Sequence, residues 1–99
     1  MTGALLGAVE EEVRTSLAEA REQALGAGGL GHWRSLLLEE VLRTLEEAGL
    51  SPKAAEEAVH GALAGHPDLT GRLEGLAYLT RLGHRTGALE SHVQALVGS

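Results

Sequence analysis

The chain has 99 residues and 10.3 kDa, with 43% hydrophobic and 22% charged residues, enough for one compact core and too few for two. Lys and Arg total 8 against 14 Asp and Glu, a formal net charge of −6, which repels a nucleic-acid duplex or an anionic lipid surface. The absence of cysteine removes disulfides, thiolate metal sites and thiol nucleophiles.

The segment Met1 to Val9 has no basic leader and meets Glu10-Glu11-Glu12 early, and no apolar run approaches a membrane-spanning length, so a cytoplasmic protein is expected. Phe, Ile, Asn and Cys are all missing, which leaves Leu, Ala and Val to build the core and Trp33 and Tyr78 as the aromatic residues. Stacking platforms for bases or sugars are therefore scarce.

Apolar positions recur at three and four along the whole chain, β-branched residues are few, and glycine supplies the punctuation, so the sequence predicts an all-α fold of five helices. Leu5, Val9, Val13, Leu17, Ala20 and Ala24 form the stripe of a long first helix over 1–27, ending near Gly26. The glycines of 28–31 read as a linker, because glycine is costly inside a helix. A second helix runs from about His32 to Ala48, with Gly49 as left-handed cap and Leu50 as its folded-back apolar partner. Ser51 caps a third, with Pro52 in the first turn and Ala55, Ala58, Val59, Ala62 and Leu63 facing inward until Gly65. Pro67 and Asp68 open a fourth, with Leu69, Leu73, Leu76 and Leu79 as its stripe and Gly83 as its stop. Thr86 caps a fifth, carrying Leu89, Val93, Leu96 and Val97 inward.

Residues 31–65 written above 65–99 bring identical residues together without a gap, among them Gly31/Gly65, His32/His66, Glu40/Glu74, Leu45/Leu79, Gly49/Gly83 and Val59/Val93. One domain, 1–99, thus divides into the first helix, the linker and two helical hairpins of 34 residues, 32–65 and 66–99. The run Gly83-x-x-x-x-Ala88-Leu89-Glu90-x-x-x-x-Ala95-Leu96, with Gly49, Ala54, Glu56 and Ala62 in the earlier copy, resembles the turn and second helix of tetratricopeptide repeats. That resemblance implies a right-handed stack of hairpins whose first helices line a concave peptide-binding face. Without the repeat, a four- or five-helix bundle remains.

Glu57-x-x-His60 puts a carboxylate and an imidazole on one helix face, the spacing of a di-iron bundle, but no second such pair exists. His60 also projects away from the Ala55/Val59/Ala62 stripe, so exposure without a metal is the stronger reading. His32 and His66 stand at helix starts, and His92 flanks the last apolar stripe. No serine, histidine and acid assemble in a catalytic pattern, and the glycines match no phosphate loop, so no catalytic residue and no cofactor is expected. Leu36-Leu37-Leu38 sweep more than half of a helix circumference, so they cannot all face one neighbour. Leu37 and Leu38 go with Val41 and Leu45 toward the core, and Leu36 falls among Glu39, Glu40, Arg43 and Glu47.

The reading is a non-enzymatic module for protein–protein contact or oligomerisation, taking a protein partner or a second copy as a homodimer, with neither nucleic acid nor membrane. Trp33, Leu36, Glu40 and Arg43 are its expected contact residues, with Leu5, Leu6 and Val9 next. The alternatives are a bundle binding a metal or cofactor through His60, His66 or His92 with nearby glutamates, and a designed helical protein with no natural function.

Overall fold

The computed structural model describes the backbone of residues 2–87 and the side chains from residue 7 onward. Among them there are helices and turns and no strand: α1 (Thr2–Glu47), α2 (Pro52–Leu63) and α3 (Leu69–Thr86). The all-α expectation holds; the described residues do not reach the expected count of five helices. The expected fifth helix, with His92, lies beyond the described residues, and the expected first two are a single element broken at one residue.

A straight helix of 46 residues would span about 69 Å, whereas the longest dimension of the molecule is 40 Å. The chain resolves this at Gly29, whose φ of 81° and ψ of −165° lie outside helical space in a region open essentially to glycine. Position 28 is still helical and position 30 is helical again, so the expected four-residue linker shrinks to one residue. Gly28 is constrained as well: a Cβ there would come 2.7 Å from the Cβ of His32 across the bend.

The two arms of α1 fold back on each other, and α3 lies along both. Trp33 and Glu40 of the second arm bond Glu74 and Arg81 of α3, so these helices run parallel. Arg21, Ser16 and Glu12 of the first arm meet Glu74, Arg81 and Arg85, so that arm runs antiparallel to α3. The core between them contains Ala24, Trp33, Leu37, Val41, Leu45, Leu73, Leu76 and Ala77.

α2 returns along the second arm, and its sequence signals are realised. The N–H of Gly49 bonds the Glu46 carbonyl and that of Leu50 bonds the Leu45 carbonyl, the paired bonds of a glycine-terminated helix. Ser51 then accepts from the Ala54 N–H at 3.1 Å, and Pro52 occupies the first turn. Ala55 and Val59 are buried, while Ala58, Ala62 and Leu63 pack against the core from its edge.

α3 departs from expectation at both ends. Asp68 is its N-cap, accepting from the Gly71 N–H at 3.0 Å, and Pro67 stays outside. Gly83 does not stop the helix. It is buried in the helix interior, and the stop is Gly87, left-handed at φ 78°. Thr86, expected to cap a further helix, ends this one with its hydroxyl turned back to the Leu82 carbonyl. Leu38, Leu69 and Leu79, placed on core stripes by periodicity, are all exposed. Their stripes are narrower than the leucine pattern suggests, because the small α2 covers little of the surface.

Candidate functional site

Trp33, Leu36, Glu40 and Arg43 all lie on the second arm of α1, and the structure gives them different fates. Trp33 corrects the expectation of a surface contact. It is 2% exposed, at the centre of the core, and its indole N–H donates to Glu74 Oε2 at 2.9 Å. The physical reason is register: Trp33, Leu37, Val41 and Leu45 follow at intervals of four and form one buried face.

Glu40 is half-buried and committed to the interior side. Arg81 grips it with both arms of the guanidinium, Nε to Oε2 at 2.5 Å and Nη2 to Oε1 at 2.6 Å, and reaches Ser16 Oγ through Nη1 at 2.6 Å. One arginine thereby clamps both arms of α1 onto α3. The hydrogen bonds to Glu40 raise the pKa of Arg81 above its already high usual value, against the opposing effect of burial, and the charge of Glu40 adds to the rise. Leu36 is 39% exposed and Arg43 is exposed beside it, as the leucine run indicated. Folding the first arm back does not cover Leu36. The side chains of Leu5 and Leu6 lie outside the described residues, and Val9 is half-buried.

Around this clamp several further charged groups are paired within the fold. Glu74 takes the Trp33 indole and stands 3.5 Å from Arg21 Nε; Glu12 pairs with Arg85. Tyr78 donates to Glu10 at 3.4 Å while the Arg14 guanidinium lies 5.7 Å from the centre of its ring. Beside Arg81 a hollow of about 280 Å³ opens between the arms and α3, walled by Val13, Glu40, Thr44, Glu47, Thr80 and His84. No buried side-chain nitrogen or oxygen among the described residues lacks a hydrogen-bond partner.

Glu57 and His60 are both exposed on α2, and among the described residues no three His, Asp or Glu converge on a point that could hold a metal ion. No helix among them is long and apolar enough to cross a membrane. The sequence reading missed Arg81 and Glu74. Both partners of each tie stand 41 residues apart, an offset visible only once α3 is known to lie parallel to the second arm.

Comparison with protein-family models, curated proteins and solved structures finds no match.

Proposed function

We propose that the chain is a non-enzymatic helical module for contact with a protein partner or with itself. The observation that carries this reading is Leu36, a leucine left 39% exposed on the second arm of α1 beside Arg43 and among the charged Glu39 and Glu47. An apolar centre with an arginine and a charged rim is the composition of a small protein interface. Leu36 and Arg43 are its contact residues; Trp33 is taken up by the core and Glu40 by Arg81.

The stacked-hairpin reading, resembling tetratricopeptide repeats, is supported by the parallel course of the second arm and α3. The first helices of successive hairpins would run this way, and the first arm would then lie along the face they line.

The test is Leu36→Glu, with mass measured by light scattering after size exclusion at low and high micromolar concentration. Wild type is expected to gain mass with concentration and the variant to associate about tenfold more weakly or worse, a loss of at least about 1.4 kcal/mol, at unchanged helicity. Equal masses for the two proteins at every concentration would remove Leu36 from the interface.

A further inference from the structure

The break in α1 is one residue wide. Helical geometry runs up to Gly29 from one side and away from it on the other, so a change at this single glycine separates the bent chain from a continuous helix of 46 residues. Two adjacent glycines are needed by the bend and by nothing else. Gly29 takes a φ of 81° that other residues avoid, and a Cβ on Gly28 would come 2.7 Å from the Cβ of His32. In a straight helix both demands vanish, since side chains four apart are about 5–6 Å from each other and alanine is the better helix former.

The contacts made by the first arm are arranged almost symmetrically about that residue. Arg21 and Trp33 share Glu74, Ser16 and Glu40 share Arg81, and Val13 and Thr44 line the same hollow. Two straight α1 helices laid antiparallel, their Gly29 residues crossing on a two-fold axis, would bring the first arm of each onto the second arm and α3 of the other. Each of these partners would then be recovered from the second chain, and the arrangement closes on itself as a dimer instead of growing into a fibre.

We infer that Gly29 is a hinge at which two copies of this chain exchange their first arms. The inference rests on the reading of the chain as an association module and names the partner, a second copy, and the surface, the apolar stripe Val13, Leu17, Ala20 and Ala24 seated in the partner's groove. The bent monomer and the exchanged dimer share their side-chain contacts and differ at Gly28 and Gly29, so concentration and the bend's own strain decide between them.

The experiment is Gly28→Ala/Gly29→Ala, made in the Leu36→Glu background so that the surface contact proposed above makes no contribution. Each chain sheds one strained bend on exchange, so the dimerisation constant is expected to rise by about 100-fold or more, giving a dimer by light scattering with the helicity of the parent. The control is Gly26→Ala/Gly31→Ala, two positions with open space around a Cβ, which adds helix propensity without straining the bend and is expected to stay monomeric. A folded monomer from the first variant, or an equal dimer from the control, overturns the hinge. A second measurement covers the case in which the alanine pair does not fold. The Leu36→Glu chain is refolded from urea at about 1 mM, where mass action favours exchange, and then diluted. A dimer fraction that persists on dilution supports arm exchange, because separation requires both arms to undock; a monomer at every refolding concentration overturns it.

Discussion

Trp33→Ala is expected to lower stability by about 3–5 kcal/mol, the cost of emptying a large aromatic site in a packed core. Trp33 is 2% exposed and clusters with Ala24 from the first arm, Leu37 and Val41 from the second, and Leu73, Leu76 and Ala77 from α3. With Ala55 and Val59 of α2 in the same cluster, all four helical segments contribute to it, and it holds no other aromatic residue to refill the space. A domain of this size holds about 5–15 kcal/mol in total, so the variant is expected to sit near the edge of folding. Urea unfolding followed by far-ultraviolet circular dichroism measures this directly. Trp33→Phe separates volume from polarity: it keeps most of the ring and removes the indole donor to Glu74, with an expected loss nearer 1 kcal/mol for one hydrogen bond. A Trp33→Ala variant within 1 kcal/mol of wild type would contradict the central packing.

Arg81→Met is the second large effect, expected at about 1–2 kcal/mol. Methionine preserves the aliphatic stem and removes three hydrogen bonds, two to Glu40 and one to Ser16, leaving a carboxylate in a half-buried place without its cation. The figure stays below that for a fully buried pair because the side chains of Arg81 and Glu40 are 25% and 23% exposed, so water can recover part of the loss. The pH dependence has a definite sign. The folded state raises the pKa of Arg81 through its bonds to Glu40, so the stabilisation is fully present below the unfolded value and is lost only as pH rises through the still higher folded value. Both values lie far above neutrality. The stability difference between wild type and Arg81→Met is thus expected to stay flat between about pH 6 and pH 9, as measured by urea midpoints across that range. A difference that collapsed toward pH 9 would mean that Arg81 does not carry it.

How much could be read from the chain depended on whether the deciding interaction was local. The turn from α1 to α2 was legible because Gly49, Leu50, Ser51 and Pro52 each act on backbone groups within five residues. Leu36 was legible from the geometry of three consecutive leucines. The bend was not: Gly26, Gly28, Gly29 and Gly31 look alike in sequence, and docking of the first arm on α3 selects the one that leaves helical space. Gly83 and Gly87 pose the same problem. Either could end α3, and burial of Gly83 within the helix hands the role to Gly87. Trp33 is a different case, since its spacing of four with Leu37, Val41 and Leu45, which places it on the buried face, is present in the sequence itself. The Arg81 clamp was not legible, because its members, Ser16, Glu40 and Arg81, come from three places in the chain.

The ties between the first arm and α3 bridge large stretches of chain, with 65 residues between Ser16 and Arg81 and 68 between Glu10 and Tyr78, against 10 between Ala62 and Arg72 across the α2–α3 turn. Closing a loop seven times longer costs roughly 1.7 kcal/mol more in chain entropy, so the outer half of the first arm is expected to tie to α3 after the α2–α3 turn has closed. The same entropy favours its early release when the fold opens. Amide protons of residues 7–20 are therefore expected to exchange with solvent through a smaller opening than those around Leu45 and Leu76. The molecule would then assemble from its middle outward, its N-terminal half closing last over a core already begun.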